Sequence, residues 1–150
     1  MGHTYISILV HVVFSTRNRL PQIDSALAER LPAYLCGIAR ENGFKILGVG
    51  GVADHIHGLL SLPGSMPPSK AVQLLKGGSS KWIHQTFANQ RLFAWQEGYG
   101  AFSVGISQVD DTLVYIANQA DHHRQTTFQD EYRAFLTRHG ITIDEHHVWG

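Results

Sequence analysis

Residues 44–62, FKILGVGGVADHIHGLLSL, contain two runs of strand-forming residues, 44–52 and 55–62. Only the turn-prone pair Ala53-Asp54 separates them. Strands joined this closely pair antiparallel, so the flanking elements decide which antiparallel fold results. Upstream, residues 4–14 (TYISILVHVVF) are β-branched and aromatic enough for a buried strand, and Arg17-Asn18-Arg19-Leu20-Pro21 breaks it. Asp24 then starts a helical pattern through Leu27, Leu31, Leu35 and Ile38, which Asn42-Gly43 stops. Pro32 inside that pattern predicts a kink or a late start.

Downstream, Pro63 to Pro68 reads as a loop, and Ser69 as the N-cap of a helix carrying Val72, Leu75, Trp82, Ile83 and Phe87. Gly77-Gly78-Ser79-Ser80 predicts a break there or a close approach by another backbone. Tyr99 to Val104 is a fourth strand, followed by helices over about 108–123 and 128–139. The order is βαββαβ with two helices added. That is an α+β, ferredoxin-like antiparallel sheet with helices on one face and extra C-terminal helices.

A chain of 150 residues fits a single domain over 1–150 with its own hydrophobic core. The one cysteine, Cys36, excludes an internal disulfide and a cysteine-based zinc knuckle. No apolar run reaches the length of a membrane span and the N-terminus lacks a secretory signal, so a cytoplasmic protein is expected. Net charge is zero with histidine neutral, but its distribution is uneven. Between Asp54 and Glu97 there is no acidic residue, while Lys70, Lys76, Lys81 and Arg91 all fall there. One face can therefore be locally positive, although a solvated helix with ordinary lysines reads the same way.

Two groups of residues can carry chemistry. In a strand, alternate side chains share a face, so His55 and His57 point the same way while Ile56, Leu60 and Leu62 face the core. Two imidazoles at this spacing suit one cation, and Asp54 is placed to orient a ring. With ten histidines in the chain, a coincidental pair on a surface strand is the other reading. On the helix over 108–123, Ser107 and Asp110 resemble a capping box, and Val109, Leu113, Ile116 and Ala120 form an apolar stripe. Beside it Thr112, Tyr115, Gln119 and His122 form a polar stripe, with Tyr115 and Gln119 at i and i+4. A phenol is a poor nucleophile near neutral pH unless a cation polarises its target. A phosphodiester is a fitting target, because its attack yields a phosphotyrosine that keeps the bond energy for rejoining.

The motif HIH followed by Tyr-Ile-x-Asn-Gln resembles the HUH endonuclease superfamily. More closely, it is similar to the single-tyrosine transposases of short bacterial insertion sequences and their REP-associated relatives. Further stretches carry the resemblance: HVVFSTRNR at 11–19, VGGVADHIHGLL at 49–60, LLKGGSSKWI at 74–83, WQEGYGAFSVGIS at 95–107 and YIANQADHHRQTTFQDEYRAFLTRHGI at 115–141. The resemblance implies that His55 and His57 ligate Mg²⁺ or Mn²⁺, that Gln119 is the third protein ligand, and that Tyr115 is the nucleophile. It also implies single-stranded DNA as substrate, cut to a 5′-phosphotyrosine and a free 3′-OH and then transferred. A homodimer is implied, with the tyrosine helix able to dock against the other subunit's HIH strand. Hairpin recognition would fall to Lys70, Lys76 and Lys81, with Arg17 and Arg19 also on DNA. Gly58, where a larger apolar residue is commoner, and Pro32 depart from the pattern. A host-adapted nickase of hairpin repeats shares these residues. A small dimeric metal-binding module would use the histidines and leave the Tyr-Gln stripe unexplained.

Overall fold

The computed structural model describes residues 2–149, so the first and last positions of the expected 1–150 domain lie outside it. Four strands form one antiparallel sheet in the order β2-β3-β1-β4. They are β1 (Leu9–Ser15), β2 (Lys45–Val52), β3 (His55–Ser61) and β4 (Gly100–Val104). Helices α1 (Ser25–Glu41) and α2 (Pro68–Thr86) connect them in the βαββαβ order. Helices α3 (Val109–Ala117), α4 (Gln119–His122) and α5 (Phe128–Arg138) follow β4.

Every residue of β1 is buried, which places helices on both faces of the sheet. Val10, Val12 and Phe14, with Ile56, Leu60 and Leu62, pack against Leu27, Leu31 and Leu35 of α1 and Val72 and Leu75 of α2. On the other face Val13 and Phe102 meet Phe128, Tyr132, Phe135 and Leu136 of α5. Leu9 and Leu59 meet Ile116 of α3 there as well. Only α1 and α2 thus form the one-sided layer expected of the βαββαβ core. The added C-terminal helices close the second face, the face that carries His55 and His57.

Several local expectations are corrected. Strand β1 starts at Leu9 rather than at residue 4, because Leu9 already pairs with Ser61 and Val104 near the far ends of β3 and β4. Beyond it Tyr5 and Ile6 are exposed. Asp24 caps α1 by accepting from the Leu27 amide at 2.9 Å, and the helix runs through Pro32 to Glu41. Gly43 follows at φ 80°, the left-handed stop that its position after Asn42 implies. Ser69 is not the cap of α2: Pro67 holds that position and Pro68 fills the first turn, where a missing N–H costs nothing. Gly77-Gly78 does not break α2. A Cβ on Gly78 would sit 2.8 Å from Ile38 Cδ1, so the glycine admits α1 at close range. The helix over 108–123 is split at Asn118, and its start is a 3-10 turn (Ile106–Gln108) in which the Gln108 side chain accepts from the Gly105 amide at 3.0 Å. Ser107 lies inside that turn and is not a cap.

Candidate active site

His55 and His57 project from the same face of β3, and both are fully buried. Behind each ring stands a partner on Nδ1. For His55 it is Asp54 Oδ1 at 2.7 Å, as the sequence suggested. For His57 it is His11 Nε2 at 2.8 Å, from the neighbouring strand. In the register of β1 and β3, His11 faces Leu59 and His57 faces Val13, so the two imidazoles are diagonal neighbours on one face.

The front of the pair is filled from α5. Glu131 Oε1 lies 2.9 Å from His57 Nε2, 3.4 Å from His55 Nε2 and 3.1 Å from His123 Nε2. Its second oxygen, Oε2, accepts a short hydrogen bond from the Tyr115 hydroxyl and lies 3.2 Å from His122 Nε2. Gln119 Oε1 is 3.3 Å from His55 Nε2, and the Gln119 amide nitrogen donates to the Tyr115 carbonyl. The polar stripe of Tyr115, Gln119 and His122 therefore converges on the histidine pair despite the break at Asn118.

Burial is the largest influence on most of these groups. It lowers the His57 pKa to about 4, against the pull of Glu131. It lowers His11 to about 3, with His57 adding to the effect. Burial also opposes charge on His55, but Asp54 and Glu131 outweigh it and raise its pKa. Glu131 runs the other way: burial favours its neutral form, yet hydrogen bonds from His55, His57 and Tyr115 hold the carboxyl well below the usual range. Burial first, then the hydrogen bond to Glu131 and its charge, raises the Tyr115 phenol above its ordinary value, so the hydroxyl keeps its proton at neutral pH.

His55, His57, His123 and Glu131 each turn a ligand-type atom into a region where these atoms all lie within 4.8 Å of one another. Nε2 of His123 is buried and makes no hydrogen bond, although it lies 3.1 Å from the carboxylate. A buried ring nitrogen without a hydrogen bond among imidazoles and an ionised carboxylate fits a divalent cation. Gln119, the ligand implied by the resemblance, adds an amide oxygen at the edge of the same group. Beside Tyr115 a cleft of about 280 Å³ is lined by His11, Phe102, Asp111, Thr112, Phe135 and Arg138.

Glu131, His123 and His11 are not singled out by the sequence reading. Glu131 resembles any acidic residue in the first turn of a helix, and only the tertiary placement of α5 brings it inward. His11 could have been noticed as the one polar residue in the apolar run ILVHVVF.

The basic residues are placed differently. Lys70 and Lys81 are exposed on α2, across the sheet from Tyr115. Arg17 is exposed in a 3-10 turn (Arg17–Arg19), and Arg19 lies with its guanidinium 5.6 Å from the Trp149 ring centroid. Lys76 turns inward instead of toward solvent. Its ammonium donates to the carbonyls of Gln96, Glu97 and Gly98 at 2.8, 3.2 and 2.7 Å. All three N–H groups are thus engaged, and burial lowers its pKa to about 8. Lys76 holds the loop before β4.

Among the described residues no helix is long and apolar enough to cross a membrane. The chain matches the family described as "Transposase IS200 like" over residues 4–119. It is 27% identical over 132 residues to the transposase for insertion sequence element IS200 of Salmonella typhimurium, a match covering 83% of this chain and 84% of that protein. The Salmonella typhi protein of the same description matches to the same extent. In fold it is similar to a candidate transposase from Deinococcus radiodurans (TM-score 0.65, 23% identity, 79% of this chain and 96% of that one). It is also similar to a REP-associated tyrosine transposase bound to a REP hairpin (TM-score 0.56, 18% identity, 77% of this chain and 68% of that one). These matches extend over most of the chain, which belongs to the IS200-like transposase family of DNA-processing enzymes.

Proposed function

We propose that the chain cleaves and transfers single-stranded DNA, with Tyr115 as nucleophile and a divalent ion held by His55 and His57. The observation that carries this reading is the shared carboxylate. One oxygen of Glu131 faces the imidazoles of His55, His57 and His123, and the other accepts the Tyr115 hydroxyl. The nucleophile and the cation site are thereby tied through one side chain. Glu131 and His123 complete the ion's ligands together with Gln119, and an imidazole-rich set favours Mn²⁺ over Mg²⁺.

In the cleavage step the Tyr115 oxygen attacks phosphorus as its proton passes to Glu131 Oε2. The bond between phosphorus and the 3′ oxygen breaks, and that oxygen leaves as a free 3′-OH after taking up a proton. The product is a 5′-phosphotyrosine, and the reverse reaction with another 3′-OH transfers the strand. An ion bound at this site supplies positive charge for a non-bridging phosphate oxygen. His122, at hydrogen-bond distance from the phenol, holds the hydroxyl toward the cluster. The cleft beside Tyr115 receives the strand next to the scissile phosphate. Arg17, Arg19, Lys70 and Lys81 bind the DNA backbone, a hairpin in the substrate being supported by the relative bound to one. The working form is a homodimer.

The test is incubation of the protein with labelled single-stranded hairpin DNA and Mn²⁺ or Mg²⁺, followed by denaturing electrophoresis. A covalent protein–DNA adduct is expected from the wild type and none from Tyr115→Phe. An adduct that persists in Tyr115→Phe would remove Tyr115 as nucleophile.

A further inference from the structure

Strand β1, one of the two inner strands of the sheet, carries an imidazole where packing alone favours a hydrocarbon ring. His11 is 4% exposed. Its ring lies edge-on to Phe135 at 5.0 Å and 90°, with Tyr115 at 6.2 Å and Phe102 at 6.5 Å. A phenylalanine would fill this aromatic box without polar atoms to satisfy. Burying imidazole there costs free energy unless its nitrogens find partners, and one of them does, on His57 Nδ1 at 2.8 Å.

Two ring nitrogens facing each other share one hydrogen. Which ring carries it depends on what the opposite side of His57 must do. His57 Nε2 faces Glu131 and the ring of His123 across the cluster. Toward a cation, Nε2 has to present its lone pair, so the His57 hydrogen sits on Nδ1 and the His11 Nε2 accepts it. Toward the carboxylate alone, Nε2 donates, and His11 Nε2 then donates in its turn. An imidazole can serve either way, whereas a phenyl ring can serve neither. His55 is held from behind as well, but by the Asp54 carboxylate at 2.7 Å.

We propose that His11 is a positioning residue for the metal site: by accepting from His57 Nδ1 it fixes that ring's orientation and tautomer, so that Nε2 is offered to a divalent cation. This rests on the reading of His55 and His57 as ion ligands. It adds a residue from β1 to a centre otherwise built from β3 and the C-terminal helices. Metal-bound histidines usually donate their second ring N–H to a fixed acceptor, and losing that acceptor lowers metal affinity about 10–100-fold.

The test uses the full chain, His11→Phe and His11→Gln, with Mn²⁺ binding measured by calorimetry. Glutamine offers an amide oxygen near the place of Nε2, so it preserves the acceptor, while phenylalanine preserves the packing. His11→Phe is expected to lose Mn²⁺ affinity about 10–100-fold and His11→Gln to stay within about threefold of wild type. In the Zn²⁺-loaded wild type, which is diamagnetic, long-range ¹⁵N–¹H spectra are expected to show His57 protonated on Nδ1 and bare on Nε2. That measurement stands whether or not the phenylalanine variant folds. Unchanged affinity in His11→Phe, an equal loss in both variants, or a His57 ring protonated on Nε2 in the Zn²⁺ form would each overturn the proposal. A wild type that binds neither ion would instead remove the metal reading and His11's role with it. A wild type that binds, with His11→Phe unaffected, leaves that reading standing and removes only His11.

Discussion

Gly50, on β2, lies against the backbone of Ile116 in α3, the residue after the tyrosine. A Cβ built on it would stand 2.4 Å from the carbonyl oxygen of Ile116, against an ordinary contact distance of 3.4 Å or more. Gly50→Ala therefore forces α3 to retreat by about 1 Å or β2 to bend away. The obstacle is backbone, so no side-chain rotation relieves it. Overpacking of this kind costs about 1–3 kcal/mol. Displacing Tyr115 by about 1 Å from its partners is expected to slow chemistry about 100-fold. Gly48→Ala is the matched control. Its Cβ would meet Leu113 Cδ2 at 2.6 Å, the far end of a flexible side chain that can turn aside, so a loss under about 1 kcal/mol is expected. The assay is a thermal melt of each variant and the initial rate of covalent adduct formation on hairpin DNA. Wild-type melting and wild-type rate in Gly50→Ala, or equal damage from both substitutions, would refute the argument that bare backbone at Gly50 seats the tyrosine helix.

Other expectations follow from particular contacts. Glu131→Gln keeps the shape of the side chain but removes the charge facing three imidazoles, and Mn²⁺ affinity measured by calorimetry should fall at least about 100-fold, more than for any residue behind the ligands. Lys76→Met strips the carbonyls of Gln96, Glu97 and Gly98 of their shared donor. It should destabilise the fold by about 2 kcal/mol in urea melts while leaving the DNA affinity of the folded protein unchanged. Gly58→Ala finds its nearest neighbour, Val12 Cγ2, at 3.6 Å, so the added methyl fits, and chemical denaturation should show a gain of about 0.5–1 kcal/mol.

Legibility in the sequence followed the range of the interactions. The strands, α1 and the βαββαβ order came through because period-2 and period-3.6 patterns are local, and the cap and stop of α1 are written in Asp24 and Asn42-Gly43. His55, His57 and the Tyr115–Gln119 stripe were legible for the same reason, since strand and helix spacing fix which way each points. The side of the sheet on which α3 to α5 dock depends on contacts between distant segments, so the second buried face was not legible. Glu131 meets His57 across 74 residues, and nothing near Glu131 in sequence marks it as buried. The inward turn of Lys76 was not legible either. Its neighbours read as a basic surface, while its three acceptors are backbone carbonyls that carry no residue-specific signal.

The placement of Glu131 on α5 also sets an order of events during synthesis. His57 and Glu131 are 74 residues apart, so at ~5–20 residues per second the carboxylate leaves the peptidyl transferase centre about 4–15 s after the histidine. All four strands end by Val104, so every residue of the sheet is synthesised before that carboxylate exists. A nascent chain therefore carries both histidines, and then the tyrosine, for seconds before the group that links them arrives. Any product truncated ahead of Glu131 would keep the scaffold yet lack that link.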